Sequence, residues 1–330
     1  MANSQPILSV KRRAFPLRRA LASPYLALVT TTVIWGSQAP AGKLALRDIG
    51  PFQLVLARIC FAGLALLAIL VWQGQAGAVV RELRTRPRTM ALLGFLSFFG
   101  SSGCSSAALS LLPASVSSLL SNVSPLFVAL WVIAAARGRP RPGIVVGVIV
   151  GFVGLGLVIF GENPSALGSL NLNPLGVGLA CLGSLSWAIY IAVGQRAMAK
   201  GNPQAILVAS ICFGGAPWLG LSIADGQLVQ LFAAPALTWG LLLYVGVVGT
   251  GVAYALWTAA LTRLSVATVA VFQYAIPFIA IVLSVLFLGE PATVPLVAGG
   301  VLIVTGIAVT QRATRGQSRP PVRDAASSRA

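Results

Sequence analysis

The sequence predicts an all-α integral membrane protein of ten transmembrane helices, arranged as two inverted five-helix repeats. Three observations carry that reading. Of 330 residues, 57% are apolar and only 9% charged, and the mean hydropathy is +0.90; an ordinary soluble domain carries about 25% charged residues. So few polar groups cannot cover a globular surface. Secondly, apolar stretches near the roughly 20 residues that cross a bilayer recur between clusters of Pro, Gly and charge. Thirdly, the chain repeats itself. PFQLVLARICFAG at 51–63 returns as PQAILVASICFGG at 203–215, with Pro51/Pro203, Ala57/Ala209, Ile59/Ile211, Cys60/Cys212, Phe61/Phe213 and Gly63/Gly215 identical at a constant offset of 152. The same offset, without a gap, pairs Trp35 with Trp187, Gly94 with Gly246, Pro125 with Pro277, Gly147 with Gly299 and Gly154 with Gly306. Apolar composition alone yields chance identities among Ala, Leu and Gly. Matched Trp, Cys and Phe in one register mark a duplicated unit.

The N-terminal tail, 1–23, carries Lys11, Arg12, Arg13, Arg18 and Arg19 and is too basic to belong to a span. The apolar segment after it lacks a small-residue cleavage site and contains Trp35, Gln38 and Lys43, so it reads as the first membrane helix rather than a signal peptide. Ten spans follow, at approximately 24–46, 52–72, 89–110, 114–135, 143–160, 175–198, 204–223, 237–260, 265–288 and 294–311. The first five form repeat 1 (24–160) and the last five repeat 2 (175–311). Five crossings is an odd number, so the second repeat starts on the opposite side from the first, and the two are related by a pseudo-two-fold axis in the membrane plane. The segment 312–330 (ATRGQSRPPVRDAASSRA after Arg312) is polar, basic and Pro-containing and is expected to be disordered.

Charge placement tests the topology. With the N-terminus inside, most of the 23 Lys and Arg fall on the cytoplasmic side: the two tails, Arg81, Arg84, Arg86 and Arg88, then Arg137, Arg139 and Arg141, Arg196, Lys200 and Arg263. The exterior receives Arg47, Lys43 and most of the acids, Asp48, Glu162, Asp225 and Glu290. This asymmetry is the positive-inside pattern. The net charge of +17 is therefore an orientation signal and not a nucleic-acid footprint, and the basic tails are suited to anionic lipid. The chain has no histidine, which removes the commonest metal ligand and general base together. Cys60, Cys104, Cys181 and Cys212 all lie within apolar spans without motif spacing and read as buried and inert. No metal and no cofactor is expected. An intramembrane enzyme would need a nucleophile with a base, a metal set or paired carboxylates, and none is present; there is no P-loop either.

Three stretches carry a family resemblance: TTTVIWGSQAPAGKLAL in span 1, PFQLVLARICFAGLALL in span 2, and ALTRLSVATVAVFQYAIPFIAIVLSVLFLGEPATVPLVAGGVLIVTGIAV across spans 8 to 10. The last is the most specific, with its Leu-Gly-Glu exit at Glu290 followed by Gly299, Gly300 and Gly306. Over 24–311 the chain resembles the drug/metabolite transporter superfamily, in its EamA-type branch, and within that branch the amino-acid exporters of the YddG type. It departs from the pattern after span 4, where Arg137–Gly138–Arg139 stands opposite Gly289–Glu290–Pro291. The resemblance implies a secondary transporter in the bacterial inner membrane with both termini cytoplasmic.

Inverted-repeat carriers place substrate near the bilayer midplane where the halves meet. In span 1, Thr31, Trp35, Gln38 and Gly42 share a helix face, and their twins in span 6 are Gly183, Trp187, Tyr190 and Gly194. Each face either lines a cavity or packs helices through its glycines. Span 4 carries Ser117, Ser118, Ser121, Asn122 and Ser124 before Pro125, and its twin carries Gln273 and Tyr274 before Pro277. Such side chains are costly against lipid and should face protein or water, while a mid-membrane proline frees a carbonyl and makes a hinge. Span 3 adds Ser102; span 8 adds Tyr254 and Trp257, the latter equally suited to an interfacial belt. Arg58 and Lys43 are the possible charge partners of a substrate, with snorkelling or a structural bond as the competing account of each. No Asp or Glu falls inside a span, which favours facilitated movement unless Glu290 or another end-of-span acid couples protons.

The expected function is export of small amphipathic metabolites, neutral and aromatic amino acids first, by alternating access through a central cavity between the repeats. The alternatives are a multidrug exporter of lipophilic cations and a nucleotide-sugar or phosphate carrier; a channel differs from all three in its flux. The expected partners are a small-molecule substrate and membrane lipids, with no nucleic acid; a monomer is plausible, and the sequence does not set the oligomeric state.

Overall fold

The computed structural model describes residues 23–135, 142–160, 172–198, 201–226, 228–261, 272 and 275–315, and every regular element among them is a helix. In chain order these are α1 (Pro24–Ala45), α2 (Pro51–Trp72), α3 (Gly77–Thr85), α4 (Pro87–Leu111), α5 (Ala114–Ser121), α6 (Ser124–Ala135), α7 (Pro142–Phe160), α8 (Pro174–Met198), α9 (Pro203–Ala224) and α10 (Leu228–Ala233). They continue with α11, built from Ala236–Leu243, Tyr244–Val252 and Ala253–Leu261, then α12 (Ile276–Leu288) and α13 (Val294–Arg315). Proline opens α1, α2, α4, α7, α8 and α9, at the position where a helix N–H has no intrahelical acceptor and a fixed φ is an advantage. At the other end of α12, Gly289 takes φ +68°, a left-handed turn that ends the helix without a Cβ penalty.

Among the described residues, seven helical segments are long and apolar enough to cross a membrane, one of them, Ala114–Trp131, running through α5 into α6; Ala236–Val252 and Ile276–Leu288 are shorter apolar helices. The 22-residue α1 dilutes its apolar run with Thr31, Thr32, Ser37, Gln38 and Lys43. Two differences from the expected spans stand out. The helix expected over 114–135 is broken at Asn122–Val123, and of the span expected over 265–288 only 272 and 275–288 are described, with α12 over 276–288. The loop expected after span 2 contains α3, which buries Val79 and Glu82 and leaves Arg81 and Arg84 exposed.

Polarity runs inside-out relative to a soluble protein. Trp131 (72%), Leu286 (70%) and Val294 (80%) are exposed, whereas Thr31, Gln53, Ser117, Ser184 and Ser284 are buried. That is the arrangement that apolar surroundings favour, because inside the bundle each polar group is shielded from hydrocarbon. The cysteines require a correction. Cys60 and Cys212 are exposed, and Cys104 and Cys181 half-buried; as twins, Cys60 and Cys212 occupy the outward face of α2 and α9, where the apolar exterior accepts a thiol as readily as a core would.

Close helix approaches fall at glycines, and they are reciprocal across the repeat. A methyl on Gly147 would stand 2.7 Å from Gly306 O, and one on Gly154 would stand 2.6 Å from Gly299 O. Gly299 is the twin of Gly147 and Gly306 of Gly154, so α7 and α13 cross antiparallel through equivalent residues. Likewise a methyl on Gly63 would lie 3.4 Å from Ile211 and one on Gly215 3.2 Å from Ile59, while a methyl on Gly94 would collide with Ser210 O and one on Gly246 would lie 3.0 Å from Arg58 O. Contacts of the form i to j′ and j to i′ are those of a two-fold axis. Small residues at these positions let backbones touch where no hydrophobic force draws helices together.

Two helices depart from the α register at nearly equivalent places: Phe95–Gly103 within α4 and Tyr244–Val252 within α11 are π-helical. The wider turn leaves carbonyls able to accept from side chains, and indoles supply the donors. Trp218 Nε1 donates to Phe98 O at 3.0 Å, and Trp35 Nε1 to Gly249 O at 3.2 Å.

Candidate functional site

The π-helical stretch of α11 organises the centre of the molecule. Gly249 O accepts from Trp35 Nε1 (3.2 Å) and from Gln38 Nε2 (2.8 Å), both carried on one face of α1. The next residue, Thr250, accepts through Oγ1 from Arg58 Nε of α2 at 3.2 Å and itself donates to Val245 O at 3.2 Å, five residues back. One turn further, Tyr254 lies edge-on to Trp35, with ring centroids 5.6 Å apart. It also touches Trp187 and Trp257, each at 6.4 Å. Trp187 stacks on Tyr190 at 4.9 Å, and Trp257 closes on Trp35 at 6.0 Å. Five expected residues, Trp35, Trp187, Tyr190, Tyr254 and Trp257, thus form one continuous aromatic cluster to which both halves contribute. Offset and edge-to-face pairs of this kind favour each other through their quadrupoles by roughly 0.5–1.5 kcal/mol beyond burial. Trp257, which also suited an interfacial belt, packs into this cluster.

Beside the aromatics a cavity of about 10 Å³ is lined by Arg58, Ile59, Ser97, Phe98, Ser102, Thr250 and Tyr254, a volume with room for about one water. Ser102 and Tyr254 are twins, as are Phe98 and Thr250, so the cavity sits where the two-fold relation brings the halves together.

Ser121 and Asn122 lie at the break between α5 and α6, about one turn away along α4 and α8. Ser121 Oγ donates to Ser105 Oγ at 3.3 Å, Ser184 Oγ donates to Ser121 O at 3.0 Å, and Asn122 Nδ2 donates to Ser118 O at 2.7 Å. Ser117, Ser118 and Ser124 are buried, so the polar face of span 4 turns into the bundle. Pro125 follows the break at Asn122–Val123 as the second residue of α6, and Pro277 is the second residue of α12. Gln273 and Tyr274 lie outside the described residues.

Lys43 does something the sequence pattern conceals. Instead of snorkelling, its Nζ donates to Leu109 O (2.7 Å), Ser110 O (3.5 Å) and Leu112 O (2.7 Å), the last carbonyls of α4. Directly across the Leu112–Pro113 turn, Glu290 accepts from Ala114 N (2.6 Å), Ser115 N (3.0 Å) and Ser115 Oγ (2.6 Å), the first donors of α5. A cation at a helix C-terminus and an anion at the next N-terminus both complement the helix dipoles. The turn is therefore held between opposite charges from α1 and from the α12–α13 link. Lys43, Arg47, Ser110 and Glu290 also line a wider cavity of about 220 Å³ at this end. At another helix end, Arg86 pairs with Glu82 and donates Nη1 to Ala197 O near the end of α8 at 3.2 Å.

Comparison with known proteins agrees with this architecture. A solved crystal structure aligns with 90% of this chain and 99% of its own at TM-score 0.60 and 21% identity, a likeness of fold. The chain is 25% identical over 308 residues to a probable terminal-alkyne amino-acid exporter of Streptantibioticus cattleyicolor, covering 89% of this chain and 95% of that protein. It is 29% identical over 176 residues to the aromatic amino acid exporter YddG of Salmonella typhimurium, covering 52% and 58%. The description "EamA-like transporter family" matches twice, over residues 22–160 and 174–312, so the halves are two copies of one unit in a multi-pass membrane protein. With nearly its whole length matched by that repeated unit, the chain belongs to the EamA-like transporter family.

Proposed function

We propose that the protein is a secondary transporter that exports small amphipathic metabolites, neutral and aromatic amino acids foremost, by alternating access through the junction of its halves. In this reading the repeats 24–160 and 175–311 each cross the bacterial inner membrane five times with opposite orientation, and the tails 1–23 and 312–330 are cytoplasmic. The reciprocal glycine contacts support the inverted relation. The cytoplasmic bias of Lys and Arg supports the orientation.

The observation that carries the substrate reading is the aromatic cluster of Trp35, Trp187, Tyr190, Tyr254 and Trp257, joined to the cationic Arg58 through Tyr254 and Thr250. Flat apolar faces beside one cation suit a solute with an apolar body and a carboxylate, and disfavour lipophilic cations. Two relatives named as amino-acid exporters point the same way. Entry of such a solute requires the rings to part, because the cavity among them is small. Pro125 and Pro277, each in the first turn of its helix, are the hinge points that would let α6 and α12 swing.

Counterflow in proteoliposomes tests the proposal. Vesicles loaded with unlabelled phenylalanine should accumulate the labelled compound saturably and faster than empty ones. Trp35→Ala and Trp187→Ala should each raise the half-saturating concentration about tenfold, the equivalent of ~1.4 kcal/mol of lost ring contact. Uptake of lipophilic cations with none of any neutral or aromatic amino acid would overturn the proposal. Flux without trans-stimulation would replace the carrier by a channel.

A further inference from the structure

A guanidinium placed about 10 Å along a spanning helix needs a counter-charge or a full set of hydrogen-bond acceptors. Arg58 has neither among the described residues. Of its five N–H groups, Nε donates to Thr250 Oγ1 at 3.2 Å. The ion pair among the described residues joins Arg86 to Glu82 instead. The remainder of the guanidinium borders the cavity shared with Ser97, Ser102 and Tyr254.

An acceptor is also unmatched close by. The Gln38 amide nitrogen faces Gly249 O at 2.8 Å. Because that partner is a carbonyl, the nitrogen and not the oxygen must face it, which settles the orientation of the amide. Gln38 Oε1 is thereby turned away, buried, and without a partner among the described residues. A buried acceptor left so costs roughly 1–3 kcal/mol. Gln38 is tied to Gly249 and Arg58 to Thr250, so consecutive residues of one π-helical turn anchor the two side chains.

We infer that Arg58 and Gln38 together read the head group of an α-amino acid: the guanidinium pairs with the carboxylate, and Gln38 Oε1 accepts from the ammonium. The faces of Trp35 and Tyr254, in contact at 5.6 Å beside them, add cation–π attraction for the same ammonium. This rests on the proposed amino-acid reading and narrows it to zwitterions. A ligand without the carboxylate leaves Arg58 uncompensated, and one without the ammonium leaves Gln38 Oε1 unpaired.

Three probes with one side chain separate the two contacts: L-phenylalanine, 3-phenylpropionate and 2-phenylethylamine. Each competes with labelled phenylalanine in counterflow, and each is titrated against the tryptophan fluorescence of the purified full-length protein. The unaltered protein should prefer them in that order. Arg58→Gln should weaken 3-phenylpropionate at least tenfold while leaving 2-phenylethylamine within twofold, with Arg58→Lys intermediate. Gln38→Leu should bring phenylalanine down to the level of 3-phenylpropionate and leave the latter within twofold. If the unaltered protein exchanges phenylalanine but both substitutions weaken all three probes alike, the two residues are structural and the inference falls while the transport reading stands. Arg58→Lys, which keeps the charge and the stem, guards that comparison against misfolding. A preference for 2-phenylethylamine over phenylalanine in the unaltered protein also overturns the inference. If the unaltered protein neither binds nor exchanges any amino acid, the proposed function and this inference fall together.

Discussion

Gly306→Ala and Gly154→Ala are expected to destabilise the protein by ~3 kcal/mol each, while Gly156→Ala in the same helix as Gly154 leaves it unchanged or slightly more stable. The difference lies in what an added methyl would meet. At Gly306 it would lie 2.4 Å from Gly151 N and 2.5 Å from Gly147 O, and at Gly154 2.6 Å from Gly299 O and 2.8 Å from Ile303 N. These are backbone atoms of a facing helix, so relief requires α7 and α13 to move apart along their whole crossing, the upper end of the 1–3 kcal/mol typical of overpacking. At Gly156 nothing lies within 4 Å, and the methyl adds only the helix preference of Ala over Gly, about 0.5–1 kcal/mol. Thermal unfolding of the purified variants in one detergent checks this. Equal midpoints for Gly306→Ala and Gly156→Ala would remove the glycine seam from the account of the fold.

Glu290→Ala should have an effect of similar size at a different place. It strips the acceptor from Ala114 N, Ser115 N and Ser115 Oγ at once, and leaving such donors without partners costs roughly 1–3 kcal/mol. Glu290→Gln retains an acceptor but loses the charge, and about half the loss is expected. Lys43→Met removes the matching cap on Leu109 O and Leu112 O. Because both residues grip one turn, Lys43→Met with Glu290→Ala should cost less than the two separately. A cysteine introduced at Ser110, in the cavity beside Lys43 and Glu290, should be alkylated faster in the Glu290→Ala background. Unchanged alkylation with an unchanged unfolding midpoint would show that the clamp holds nothing.

Much of this molecule is legible in one dimension, for identifiable reasons. Duplication can be read because Trp35/Trp187 and Cys60/Cys212 are rare residue types in one register. The aromatic cluster can be read because mid-span Trp and Tyr at helical spacing must face protein on some side, and the repeat places one matched Trp, Trp35 and Trp187, in each half. What stays hidden is pairing across helices. The bond from Arg58 to Thr250 joins residues 192 apart, and no periodicity signals it. The π-helical turns are equally invisible, since FLSFFGSSG and YVGVVGTGV have the composition of any spanning helix. Gly249 acts through its carbonyl, which every residue has. Lys43 and Glu290 sit at apparent span ends, where snorkelling explains a charge well enough that a cap is not called for. The reciprocal glycine contacts, by contrast, were latent in the offset of 152: any close pair between the halves implies its twin.

That reciprocity bears on how such a chain can arise. A half-length polypeptide carrying Gly63, Gly94, Gly147 and Gly154 would make each of those contacts with a second copy of itself, as a symmetric homodimer. Fusion into one chain removes the dependence of assembly on concentration. It also releases each position from identity with its counterpart. In the dimer an arginine at 58 would appear twice about the axis, whereas in this chain Ser210 answers Arg58, and Tyr254 answers Ser102. A single chain can therefore place a basic side chain and an aromatic one at positions that a symmetric dimer would fill alike, which is the asymmetry that the proposed solute, with its head and tail, would use.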